Sequence, residues 1–302
     1  MQKKKVGILR GGKGKHYEKS LNKGGEIILH ILEKLGDRYQ VLDIFIDKND
    51  IWHFAGKEIK PAELMHRVDI VWNVSSPSYS NVLQSFSIPT IGADVFHNSV
   101  IQNRALLEEH MKKVGISLPR YFVIPVYQKD FDGDKDKFVI KKAKEVHAKF
   151  AGPWFVKSFA HDANMGTHIA KIFPELINAI SDCVEHNESI LIEEFISGKN
   201  ISTHAVAGFR NKENYIFPNT ENLSKLEKEN LQKAAEQLHK HFNNPKYLHS
   251  EFVLDLRKGS NKIYLRNIEF NPDLSDNSHL SGACNAVGVN THDIVAHILE
   301  TF

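Results

Sequence analysis

Two cysteines, Cys183 and Cys284, are all that this chain of 302 residues contains. One pair cannot build a disulfide framework, and neither cysteine sits in a CxxC unit, so a reducing cytoplasm is the expected setting. Long apolar runs are missing as well: none approaches the ~18–20 residues that a membrane helix needs. After Met1-Gln2-Lys3-Lys4-Lys5, only Val6 to Leu9 precedes Arg10 and glycine. That stretch is too short for a signal-peptide core and reads as a solvated lead-in to a first strand. No charge sign dominates. Lys and Arg number 39 against 37 Asp and Glu, and a net charge of +2 leaves no footprint for nucleic acid or an anionic membrane. The 17 histidines include no HExxH or CxxC…HxxxH spacing, so a zinc site has little support. A GxSxG elbow, a convincing Cys–His pair, internal repeats and low-complexity tracts are also lacking.

What is present is an ordinary globular balance, 41% apolar and 25% charged, enough to bury a large core. At roughly 100–200 residues per domain, the length suggests two or three units. Val6-Gly7-Ile8-Leu9 reads as a buried strand, followed by a turn with Gly11, Gly12 and Gly14. Ile27, Ile28, Ile31, Leu32 and Leu35 fall on one helical face, and Tyr39–Ile46 and Asp69–Val74 read as further strands. Strand, helix, strand at this scale predicts βαβ units and an α/β lobe. One helix is expected over 99–114, ended by Gly115 and Pro119. From 152 to 196 the pattern is strand, loop, strand, helix, strand, an α+β arrangement, with Pro174 opening the helix. Ser224-Lys225-Leu226-Glu227 matches a capping box, and His239 and His241 are expected on the exposed face of the helix it opens. Strands at 251–256 and 262–270 flank a turn, and a last helix starts near Thr291.

Three places could carry chemistry. Glu269 and Asn271 are two apart on a strand and point to one face; a hairpin turn near Ser260 would set Glu251 opposite Glu269. Opposed carboxylates repel unless a cation joins them, and Mg²⁺ takes such hard oxygen ligands. A solvated hairpin with surface acids gives the same pattern, and Asp255 is a weaker candidate on the same strand. Lys157 ends an apolar strand ahead of the glycine-containing loop 159–166, where backbone N–H groups could cradle phosphate; it could equally be a surface lysine. Ile190 to Gly198 is an apolar strand ending in two acids and a turn, either a nucleotide-binding edge or a plain strand end. Gly11-Gly12-Lys13-Gly14 fits neither GxGxxG nor GxxxxGK[ST], and reads better as a tight or substrate-binding turn.

The order of these signals resembles the ATP-grasp superfamily and, within it, the D-alanine–D-alanine ligase family. Leu9-Arg10-Gly11-Gly12 and Glu18-Lys19-Ser20-Leu21-Asn22-Lys23-Gly24 look like that family's glycine turn and EVSLxSG stretch. Gly152 to Lys157 resembles its LPxxVKP segment, and 159–166 its phosphate-covering loop. Leu191 to Gly198 follows LIExxxxG, Ile268-Glu269-Phe270-Asn271-Pro272 follows the ExN motif, and Ser278-His279 the later SH pair. The resemblance implies an ATP-grasp fold with an N-terminal Rossmann-like α/β lobe over 1–97, a central α+β subdomain over 98–187 and a C-terminal subdomain over 188–302, with ATP between the last two.

The resemblance also implies roles. Lys157 and Arg104 would bind ATP phosphates. Glu193, Glu194, Phe195 and Ile196 would frame adenine, and Asn200 falls where a ribose-binding glutamate is expected. Glu251, Glu269 and Asn271 would hold Mg²⁺ or Mn²⁺. Departures gather on the substrate side: His16 stands for a glutamate that orients the first amino acid, and His249 for an arginine at the reacting groups. Ala163 replaces a loop serine, the segment 73–84 is reduced, and a long tyrosine-bearing loop is absent between Phe217 and Ser224. The implied reaction joins a carboxylate to an amine through an acyl phosphate. The substrates would be amino acids, D-alanine among them, with no nucleic-acid or membrane partner and room for a homodimer. A ligase for another amino or hydroxy acid, and a nucleotide-binding relative without ligase activity, remain alternatives.

Overall fold

In the computed structural model, which describes residues 3–13, 17–158, 167–219, 221–256 and 262–302, the run Val6–Leu9 forms the middle of strand β1 (Lys4–Gly11). Helix α1 (Tyr17–Lys34) leads to β2 (Tyr39–Ile46), which pairs parallel to β1 in the register Val6↔Val41. Antiparallel β3 (Trp52–Phe54) and β4 (Lys57–Glu58) extend one edge. On the other side β5 (Ile70–Asn73) pairs parallel to β1; α2 (Ser78–Ser85) follows, and β6 (Thr90–Ile91) completes the order β4-β3-β2-β1-β5-β6. Val6 and Ile8 bury one face of β1 against Ile27 and Ile31 of α1, while Leu9 joins Ile44, Leu64 and Leu83 on the other. Burial on both faces is why the strand reads as an unbroken apolar run. Leu32, expected on the buried face of α1, is exposed, because it lies five residues on from Ile27 and turns away from the row Ser20, Gly24, Ile27, Ile31.

The single helix expected over 99–114 is two: α3 (Val95–Gln102) and α4 (Arg104–Val114). Asn103 leaves helical geometry and its side chain accepts from the Leu106 N–H. Asparagine competes in this way with the helix backbone, a local chemistry that apolar spacing does not register. Gly115 then ends α4 in the left-handed conformation, as its position predicts.

A four-stranded antiparallel sheet is built from β7 (Tyr121–Ile124), β8 (Trp154–Ser158), β9 (His168–Ala170) and β10 (Ile190–Glu194), in the order β7-β10-β8-β9. The short α5 (Lys129–Asp132) is followed by α6 (Lys135–Lys149), and α7 (Phe173–Glu185) carries Pro174 in its first turn. Val139, Ala143 and Val146 of α6 and Leu176, Ile180 and Cys183 of α7 pack on Val156, Ile190 and Ile192 of the sheet. This α+β pattern is the one read from the sequence.

The third sheet has the order β12-β11-β13-β14, from β11 (Gly198–Ala207), β12 (Asn214–Ile216), β13 (Tyr247–Asp255) and β14 (Ile263–Glu269). Between β12 and β13, α8 (Lys225–His241) starts with both halves of the capping box: Ser224 Oγ accepts from the Glu227 N–H, and the Glu227 carboxylate from the Ser224 N–H. His239, expected to be exposed, is fully buried, and its Nε2 lies 2.9 Å from the Pro245 carbonyl. The turn after α8 folds back over it, a closure that helical periodicity does not encode. The chain ends with α9 (His279–Asn285) and α10 (Thr291–Glu300), the latter sending Ile294 and Ile298 to the same core as α1.

The chain forms two compact units. One holds Met1–Ile116, Asn200–Phe252 and Leu265–Phe302; the other holds Ser117–Lys199 and Val253–Tyr264.

Candidate active site

Glu269 closes β14 and is bridged by two ammonium groups of one helix. Lys23 Nζ sits 2.8 Å from Oε2, and Lys19 Nζ 3.3 Å from Oε1. The lysines are four residues apart on α1, so both side chains reach from one helical face. Burial pushes the Glu269 carboxyl up, but Lys23 and Lys19 outweigh it and bring it down to about 2. Two residues on, Asn271 is fixed at both ends of its amide. Its Oδ1 accepts from Trp72 Nε1 at 3.0 Å, and its Nδ2 donates to the Asn73 carbonyl at 2.9 Å. Glu251, on β13, is half-buried. Burial lowers the His249 pKa, and the charges of Glu269 and Glu251 work against that shift by favouring the imidazolium.

As arranged, this donor set does not fit a divalent ion. Mg²⁺ wants oxygen ligands at about 2.0–2.1 Å in near-octahedral geometry. Both Glu269 oxygens are engaged by lysine, and Asn271 Oδ1 faces an indole N–H. Among the described residues no three His, Cys, Asp or Glu side chains group as a metal site. Asp255 is buried in the other unit.

Beside the carboxylates lies a histidine cluster. His204 of β11 is buried; its Nδ1 is 2.8 Å from the Tyr247 hydroxyl, and its Nε2 is 3.0 Å from His279 Nδ1. The His204 and His249 rings stack at 4.8 Å with a 12° interplanar angle. Nε2 of His249 and Nε2 of His279 are buried with no hydrogen-bond partner among the described residues. Burial lowers the pKa of all three, and His249 and His279 add repulsion that holds His204 well below the usual range. The cluster is therefore neutral at pH 7. The sequence places His249 two residues after Tyr247, hence on one face of β13, but nothing in it pairs that face with His204. Lys19 and Lys23 were equally hidden, since their partner lies about 250 residues away.

In the other unit, Lys157 of β8 and Glu193 of β10 form an ion pair at 3.0 Å. Antiparallel pairing sets Lys157 opposite Leu191, and two residues along the same face of β10 comes Glu193. Glu193 is buried and Lys157 partly exposed, so the cation stands at the rim of a buried acid. Arg120 Nε holds the Glu194 carboxylate at 2.8 Å. The backbone N–H of Glu194 donates to Arg120 and that of Phe195 to Pro153. That leaves Ile196 as the residue in this run whose N–H has no acceptor among the described residues.

Arg104 is buried in the first turn of α4. Asn200 is exposed and accepts from Arg266 Nη1 at 2.9 Å. His16 and the loop 159–166, Ala163 with it, lie outside the described residues. Just after β1 the Gly12 N–H donates to the Ile46 carbonyl, and Ser20 Oγ accepts from the Gly11 N–H; the rest of the expected turn, from Gly14, lies outside the described residues.

Residues 110–221 match the family described as D-ala D-ala ligase C-terminus. A D-alanine–D-alanine ligase of Carboxydothermus hydrogenoformans is 24% identical over 326 residues, covering 98% of this chain and 97% of that protein. One from Natranaerobius thermophilus is 24% identical and covers 67% of this chain; the chain spans 62% of that relative's length. Among solved structures, the VanG D-Ala:D-Ser ligase of Enterococcus faecalis superposes with a TM-score of 0.78 at 15% identity, covering 99% of each chain. The fold is thus the ATP-grasp fold of the D-alanine–D-alanine ligases, and the resemblance read from the motifs holds across the chain.

Proposed function

We propose that this chain, similar in sequence and fold to D-alanine–D-alanine ligases, is an ATP-dependent carboxylate–amine ligase that forms an amide through an acyl phosphate. The observation that supports it most is the Lys157–Glu193 ion pair, followed just after β10 by an Ile196 N–H with no acceptor among the described residues. In this reading Ile196 and the backbone of Glu194 face adenine, and Lys157 supplies a point charge to the phosphates. Arg104 adds a second cation. A substrate carboxylate attacks the γ-phosphate and releases ADP; an amine then attacks the acyl phosphate, loses a proton and expels inorganic phosphate. Fixed cations spread the charge of the phosphoryl transition state.

The division into lobes at 97 and 187 belongs to the same proposal, as do a cytoplasmic location and a place in peptidoglycan synthesis. Mg²⁺ bound by Glu251, Glu269 and Asn271 does not, because Glu269 is engaged by two lysines and Asn271 by Trp72 and Asn73.

The histidine cluster favours a second reading of the substrate. A ligase of this kind acting on another amino or hydroxy acid is the alternative to D-alanine, since His249 is neutral where the resemblance places an arginine fork. Phosphate release with ATP against a panel of D- and L-amino acids and hydroxy acids, with products identified by mass, tests both. Release that depends on an acceptor, with an amide or ester formed, is expected. ATP bound without any product would leave a nucleotide-binding protein and sink the ligase reading.

A further inference from the structure

We propose that Lys19 and Lys23 stand in place of a divalent cation on Glu269, so that nucleotide phosphates meet fixed ammonium groups at this end of β14. The part concerning nucleotide rests on the ligase reading; the part concerning Glu269 does not.

The charge balance agrees. One carboxylate with two ammonium groups carries +1, the same as one carboxylate with one divalent ion. The geometry agrees as well. Each oxygen of Glu269 has its own lysine, and Lys23 is only 13% exposed. A metal entering here would have to evict a largely buried ammonium and leave it unpaired, which is strongly unfavourable. Asn271 cannot turn to assist. Its amide is held at both ends, by Trp72 Nε1 and by the Asn73 carbonyl.

The helix supplies a third argument. Lys19 sits in the first turn of α1, where the macrodipole disfavours a cation. A lysine there is stabilised by a nearby acid, and Glu269 is that acid. The pair therefore acts as a built cation site at a defined place, with one helical turn setting the spacing of its charges.

Mn²⁺ alone, followed by electron paramagnetic resonance on the full chain without nucleotide, tests the first part. Wild type should leave Mn²⁺ free at millimolar concentration, whereas Lys19→Ala/Lys23→Met should bind it at least about tenfold more tightly. Adding Glu269→Gln should abolish that gain. Calorimetry with ATP tests the second part. Exchanging Mg²⁺ for chelator should change wild-type affinity by less than about tenfold, and that of the double variant by more.

Mn²⁺ held by wild type and lost in Glu269→Gln would overturn the proposal, as would a double variant no better than wild type. Lys23→Met keeps the buried bulk; should the double variant still not fold, the comparison of wild type with Glu269→Gln decides alone, and no Mn²⁺ held by either is the supporting result. A chain that binds no ATP would defeat the ligase reading, while the Mn²⁺ measurement would still decide this one.

Discussion

Trp72 Nε1 donates to Asn271 Oδ1 across 199 residues of sequence, joining the end of β5 to the residue after Phe270. The Asn271 amide completes the link by donating to the Asn73 carbonyl. Asn271→Ala should therefore leave an indole N–H and a carbonyl unsatisfied, costing on the order of 3 kcal/mol. Urea unfolding of the ligand-free protein measures it. A loss below about 0.5 kcal/mol, the range of ordinary surface changes, would mean that Asn271 is kept for a ligand rather than for this lock.

Lys157→Met should act on both folding and nucleotide. It removes the cation from a carboxylate only 7% exposed, at a cost of about 1–3 kcal/mol. ATP affinity by calorimetry should also fall by about tenfold or more, the worth of one charge-assisted contact. Unchanged affinity would remove Lys157 from the phosphate site.

His239 should make the protein acid-sensitive. Burial takes its pKa from 6.5 to about 4, so the unfolded chain binds a proton that the folded chain refuses between those values. Stability then rises with pH across this window and is lost as pH falls through it. Between pH 7 and pH 5 the loss from this group is about 2 kcal/mol. His97 and His204, also lowered by burial, add losses in the same direction. His239→Gln should be flatter by that amount when unfolding is compared at the two pH values; equal slopes would place the sensitivity in other histidines.

Gly11→Ala should be among the most damaging single-methyl changes. Gly11 has φ +87°, and a Cβ there would lie 2.2 Å from the Ile46 carbonyl oxygen, which is backbone and cannot swing aside. Left-handed strain plus that clash should cost more than about 2 kcal/mol, read from the denaturation midpoint. A shift below about 0.5 kcal/mol would show that β1 and β2 part easily at this end.

The sequence was most legible where backbone and apolar pattern decide structure. β1, β2, α7, the Ser224 capping box and α10 follow from apolar spacing and end signals. Asn103 and His239 misled because a side-chain cap and a folded-back turn override periodicity. Among the candidate residues, Lys157 and Glu193 in one unit, and Glu251 and Glu269 in the other, could be singled out from strand ends and two-residue alternation. Their partners could not. The lysines on Glu269, the Trp72 donor on Asn271 and the His204 stack on His249 come from elements far apart in sequence, whose meeting depends on sheet order.

The segmentation of the chain has a consequence for its birth on the ribosome. β1 and α1 emerge long before Ile294 and Ile298 of α10, which share their core. Val6, Ile8, Ile27 and Ile31 must wait for α10 to be made before their cover is complete. The stretch Ser117–Lys199, by contrast, holds all four strands of its own sheet and can close that sheet as it leaves. Folding on the ribosome should thus close this sheet before the core shared by α1 and α10, with holding chaperones most needed by Val6, Ile8, Ile27 and Ile31 in the interval.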